Sequence, residues 1–128
     1  MNKSILFSVY REDKTELENE MATKFIDGYL VDLKYPKKHL FSGDKTYFLL
    51  TDDKGFLDHD IMVATIRNIS AKYYQDNVFT IDLKGNVRAI SGNGEVMIGK
   101  FIPTKEANVW STDCLYDSNT ELYWNLVK

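Results

Sequence analysis

Strand-like and helix-like segments follow one another in the order β-α-β-β-α-β, and short strands joined by tight turns complete the chain. Few architectures accept that order, because neighbouring elements in sequence pack as neighbours in space. Ile5 to Tyr10 is a short apolar run and reads as a first strand. Asp13 with Glu16 three residues later resembles a capping box, after which Leu17, Met21 and Phe25 recur at helical spacing. Gly28 is the expected stop of that helix. Tyr29 to Leu33 reads as a second strand ending before the turn around Pro36, and Lys45 to Thr51 as a third, with strong β composition. Asp58 or Asp60 is expected to cap a second helix in which Met62, Ile66, Ile69 and Tyr73 share one face. Asn77 to Leu83, Val87 to Ile90 and Val96 to Ile102 alternate with turns at Lys84-Gly85-Asn86 and Gly92-Asn93-Gly94, which makes a β-meander. Val109-Trp110 and Leu122 to Val127 read as further strand.

This order predicts an α+β domain over residues 1–128: a ferredoxin-like antiparallel sheet with both helices on one face, plus a C-terminal β-meander. The chain has no linker, repeat or low-complexity tract, and 128 residues suffice for one core. The second sheet face then lacks cover, so oligomerisation through it is expected.

A formal charge of −3 with 44% hydrophobic residues describes a folded domain and shows no basic surplus for a nucleic-acid polymer. The apolar run after Met1 is too short for a signal peptide, and no stretch approaches the ~20 apolar residues of a membrane span. Cys114 is the only cysteine, so no internal disulfide forms and a reducing, cytoplasmic setting is expected. Gly92, Gly94 and Gly99 lie between strands and do not open a helix, which excludes a phosphate-binding glycine loop. Asp52, Asp53, Asp58 and Asp60 cluster around Gly55 and His59 without calcium-loop spacing, and turns and a helix cap account for them. No metal and no cofactor is expected, and no Ser-His-Asp or Cys-His set assembles. One basic cluster, Lys34, Lys37, Lys38 and His39 around Tyr35-Pro36, reads either as a solvated turn or as a phosphate site.

The second half resembles a known family. Val63-Ala64-Thr65-Ile66 leads through Ala71-Lys72-Tyr73-Tyr74 into Gln75-Asp76-Asn77-Val78-Phe79. That is similar to a helix followed by a Gln-Asp/Glu-x-Val strand entry in the phage S-adenosylmethionine (SAM) lyases. The likeness continues through Glu95 to Pro103 and an aromatic tail, Tyr123-Trp124-Asn125-Leu126-Val127. Ser8-Val9-Tyr10-Arg11 is similar to the family's strand-to-helix entry.

The resemblance implies a ferredoxin-like sheet assembled into a homotrimer with active sites at subunit interfaces. It also implies a tyrosine after the second strand and a glutamate before the next, places taken here by Tyr35 and by Asp44 in Asp44-Lys45-Thr46. Pro36 follows the tyrosine where the family has glycine, and aspartate replaces glutamate. The implied catalytic residues are therefore Tyr35 and Asp44, with Ser8, Tyr10, Arg11, Lys37, Lys38, Thr46, Gln75 and Asp76 expected to meet the substrate. A sulfonium is already an activated leaving group, so folding the methionine arm for attack by its own carboxylate is most of the catalytic work. The expected substrate is free SAM, as in phage anti-restriction, or SAM-AMP, the second messenger of type III CRISPR systems. The Lys34–His39 cluster tilts the choice towards the conjugate by offering counter-charge for its phosphodiester. A non-catalytic trimer that binds an adenine nucleotide or a partner protein is the alternative reading.

Overall fold

A computed structural model describes residues 4–43, 45–51, 58–105 and 114–128. Eight strands and two helices appear in the order β1 (Ser4–Phe7), α1 (Glu16–Asp32), β2 (Lys37–Ser42), β3 (Lys45–Thr51), α2 (His59–Lys72), β4 (Val78–Ile81), β5 (Asn86–Ser91), β6 (Gly94–Thr104), β7 (Cys114–Asp117) and β8 (Leu122–Val127). All pairings are antiparallel, and the strands close into one barrel in the order β1-β3-β2-β7-β8-β6-β5-β4. The expected open ferredoxin-like sheet with a separate meander is thus overturned. Hairpins carry β5 and β6 onward from β4, β8 pairs with β6, and β7 bridges β8 to β2 through Phe41 opposite Tyr116.

Closure also supplies the cover that the sequence left wanting. Side chains alternate across a strand, and β1 and β3 are apolar at consecutive positions, so both faces of this wall are buried. Ile5 and Phe7 pair with Leu50 and Phe48 on the outer face, where Ala22, Ile26 and Leu30 of α1 and Met62, Ile66 and Ile69 of α2 cover them. Leu6 and Leu49 face the lumen with Leu40, Ile81, Val87, Phe101 and Leu115. The lumen-facing side of the wall is filled by the chain's own strands, so it no longer requires a second copy. Among the described residues no helix is long and apolar enough to cross a membrane.

Helix boundaries differ from the sequence reading for identifiable reasons. Thr15, not Asp13, caps α1: its hydroxyl accepts from Glu18 N–H while the Glu18 carboxylate accepts from Thr15 N–H. Gly28 does not stop the helix, which continues through the expected strand Tyr29–Leu33. It ends where Lys34 turns left-handed at φ 58°, with Lys34 N–H donating to Val31 and Tyr35 N–H to Leu30. α2 is capped by Asp58, whose carboxylate accepts from Ile61 N–H, and ends on the same motif at Tyr74, φ 59°. Asp52, Asp53, Gly55 and Val109-Trp110 lie outside the described residues. Gly99, at φ 155° where β5 and β6 slip register, approaches β8 so closely that a Cβ would sit 2.6 Å from the Val127 carbonyl oxygen.

Candidate functional site

The chain leaves β1 at Phe7 and bends across the end of the barrel towards α1. Ser8 fixes the bend, because its hydroxyl donates to the Thr46 carbonyl at 3.0 Å and accepts from Tyr10 N–H at 3.1 Å. Asn19, buried in the second turn of α1, clamps the next residue by accepting from Arg11 N–H at 2.9 Å and donating to the Arg11 carbonyl at 3.0 Å. From the other side the Gln75 amide donates to the Tyr10 carbonyl at 2.6 Å. Three buried or half-buried side chains thus hold residues 8–11 in one shape.

Two hollows adjoin this segment and share Tyr10 as a wall. The first, about 330 Å³, lies between α1 and the β2–β3 hairpin, with Glu16, Glu20, Asp27, His39 and Thr46 among its lining. The second, about 300 Å³, is lined by Ser8, Lys45, Tyr47, Tyr74, Gln75 and Asp76, with Phe79 and Asn77 at its edge. Lys45 Nζ lies 5.3 Å from the Tyr10 ring centre, and the Arg11 guanidinium lies 4.3 Å from that of Tyr74 while pairing with Asp13. The first hollow thus offers the carboxylates of Glu16 and Glu20 beside Lys24 and the already paired Asp27, and the other combines aromatic rings with a cation and a carboxylate. That division suits a ligand with a positively charged arm and a flat ring.

Of the site residues read from the sequence, Ser8, Tyr10, Arg11, Thr46, Gln75 and Asp76 come together here. Asp44 lies outside the described residues, although Gly43 and Lys45 on either side of it belong to the hairpin at this end. Tyr35 does not join them. It precedes β2 at the opposite end of the barrel and packs against the helix-side core, separated from the hairpin by the whole length of β2, roughly 17 Å.

The basic cluster is dispersed by strand alternation. Lys37 and His39 face α1, where both bind Oδ1 of Asp27, the histidine Nε2 at 2.9 Å. Lys38 faces the lumen side and pairs at 2.6 Å with Asp117, whose side chain is 0% exposed. Burial pushes both carboxylates up, but Lys37 and His39 outweigh it at Asp27, and Lys38 with Asn119 N–H outweighs it at Asp117, so each sits below the ordinary range. Lys34 is exposed at the end of α1. No phosphate site forms there, because two of the cations and the histidine already have carboxylate partners.

Sequence reading missed Asn19, Glu20 and Asp27, which lie on the flank of α1 rather than on its apolar stripe and carry no motif. The Asn19 clamp had no local signal, since its partner lies eight residues away across a bend. No group of three His, Cys, Asp or Glu side chains able to hold a metal occurs among the described residues. The fold and site together define a closed antiparallel barrel domain with two adjoining hollows beside one end of it. Neither the protein-family models nor the curated proteins contain a match to this sequence.

Proposed function

We propose that this chain is a cofactor-free lyase acting on the SAM moiety of a small molecule. The observation that carries the reading is the convergence of Ser8, Tyr10, Thr46, Gln75 and Asp76 on two adjoining hollows, one offering carboxylates and the other aromatic rings. Glu16 and Glu20 of the first hollow suit the sulfonium and amino groups, and the rings of the second suit the adenine. In the reaction a carboxylate oxygen of the substrate bonds to its own γ-carbon as the C–S bond breaks. The sulfur keeps the electron pair, and the products are homoserine lactone and methylthioadenosine. No proton moves in that step, so the protein's work is to hold the folded arm in place and exclude water. Tyr10, fixed through its backbone and a wall of both hollows, is the group we assign to holding the arm, and Asp76, which has no ion pair among the described residues, is assigned to the polar groups of the nucleoside in the second hollow.

Lys37 and Lys38 no longer favour the AMP conjugate, since each is committed to a carboxylate. Lys45 lines the aromatic hollow without a carboxylate partner among the described residues and is the cation we assign to a phosphodiester, since Arg11 is committed to Asp13. Incubation of the chain with SAM and with SAM-AMP, followed by mass analysis, tests the reading. Methylthioadenosine, or its AMP conjugate, is expected together with homoserine lactone. Asp76→Asn is expected to lower turnover at least about tenfold, and Asp44→Asn tests in the same assay the aspartate that the resemblance implies. Both substrates intact at high enzyme concentration would remove the lyase reading and leave a binding module, which equilibrium dialysis with SAM would then detect.

A further inference from the structure

The stripe that marks α1 in the sequence points away from the core. Leu17 is 64% exposed, Met21 63% and Phe25 68%, whereas Ile26 and Leu30 on the opposite side are buried. Tyr29, 42% exposed, continues the line at the same four-residue spacing. Gly28 lies on this outer face with helical geometry, and among the described residues nothing beyond its own helical turn comes within 4 Å of where its Cβ would be. Its missing side chain is therefore not explained by any contact within the chain.

We propose that α1 is a two-fold interface, and that its occupant is α1 of a second copy of this chain running antiparallel. The argument rests on the self-complementarity of the positions. Antiparallel alignment about residue 23 puts Leu17 against the partner helix at Tyr29 and Met21 against it at Phe25, so the four apolar residues pair entirely among themselves. The same alignment brings Lys14 to the end of the partner helix that carries Asp32, and the reverse contact repeats it, as an isologous interface requires. A parallel alignment would instead set Lys14 against Lys14 and Asp32 against Asp32. Helix dipoles also favour the antiparallel arrangement. The depression bounded by Phe25, Gly28, Tyr29 and Asp32 takes the Leu17 side chain of the second copy, and Gly28 deepens it. Glu16, Glu20 and Asp27 of the first hollow lie to one side of this face and Lys24 at its border, and no part of the argument for the contact uses the lyase reading.

Sedimentation velocity of the full chain over a range of concentrations tests this. Two protomers are expected at high concentration, giving way to one on dilution. Phe25→Glu is expected to weaken association by about 100-fold, the size of an interface hot spot, with an unchanged circular dichroism spectrum because the site is exposed. Lys14→Asp should weaken it too, and Lys14→Asp with Asp32→Lys should restore it to within about threefold. A single protomer at every concentration overturns the proposal. So does an assembly, three-fold or other, whose mass Phe25→Glu leaves unchanged. A double charge swap that associates no better than Lys14→Asp alone overturns the antiparallel alignment.

Discussion

The β1–β3 wall separates two apolar regions that are filled by different means. On the helix side, Phe7 stacks on Phe48 with ring centres 5.1 Å apart, and two helices press buried Ile26, Leu30, Met62 and Ile66 onto them. On the lumen side, a hollow of about 100 Å³ remains among Leu6, Tyr47, Phe79, Leu115 and neighbouring residues. The seam that closes this side, β2 against β7, has a single register pair among the described residues, Phe41 with Tyr116. The Lys38–Asp117 ion pair spans the same seam. The helix side is thus specified by side-chain packing, and the lumen by ladder continuity with one buried charge pair at its weakest joint.

Truncation should show that difference most strongly. Phe48→Ala removes a fully buried ring from the tighter region and is expected to cost about 3–5 kcal/mol. Leu115→Ala removes a side chain that already faces the lumen hollow, and is expected near the low end for such changes, about 2–3 kcal/mol. Urea unfolding of both variants makes the check. Equal costs would mean that the lumen packs as tightly as the helix side, and the comparison would fail.

The seam comes next in size. Asp117→Asn leaves Lys38 facing a neutral group, and about 2 kcal/mol is expected, less than for a fully enclosed pair because Lys38 is a third exposed. Amide exchange should accelerate in β7 before it does in β1 or β3. The pH dependence has a definite sign. The folded carboxyl lies below its unfolded value, so its contribution is complete above the ordinary carboxylate range and is lost as pH falls through the lower folded value. In the Asn variant the acid limb of the stability curve should flatten. An unchanged limb would show that Asp117 does not hold the seam.

The same contrast explains what the sequence could disclose. Lys45–Thr51 and Leu122–Val127 were legible as strands because apolar and aromatic residues fill them. The consecutive apolar residues in Ile5–Phe7 and Phe48–Leu50 signal burial on both faces, which an open sheet with one bare side does not need. Closure itself was not legible, because it depends on β7, four residues long with Asp117 at its end and few β formers. For the site, Ser8, Tyr10 and Gln75 were singled out by the resemblance and by their places beside strand ends, and the fold brings them to one end of the barrel. Lys37 and Lys38 misled because adjacency in a strand sends side chains to opposite faces, and a cluster in sequence becomes two separate pairs in space. Asn19 and Asp27 act across folds of the chain and leave no mark in local spacing.

A smaller effect is expected from the pair on the helix side of β2. Asp27 is about a quarter exposed, as is Lys37, so water and salt screen their attraction. Asp27→Asn should cost about 1 kcal/mol, falling further in 1 M salt, whereas the Asp117→Asn cost should hold nearly constant. Its acid dependence has the same sign, since the Asp27 carboxyl is also lowered in the folded chain. Denaturant midpoints at low and high salt for the two variants would separate the pairs. Equal salt sensitivity would mean that the lumen-side pair is as wet as the outer one.

The smallest change probes the outermost layer, beyond the helix-side core. Gly28 has helical backbone geometry and open space where a Cβ would stand. Gly28→Ala therefore meets no clash and reduces the freedom of the unfolded chain, which should stabilise a single protomer by about 0.4–1 kcal/mol. The same methyl group fills the depression offered to a second α1, so association should weaken while the protomer gains stability. Unfolding measured in dilute solution and sedimentation measured in concentrated solution should thus move in opposite directions. A stability loss in dilute solution would mean that the outer face of α1 is already packed against its own chain. A gain in both measurements would mean that Gly28 is not where two helices meet.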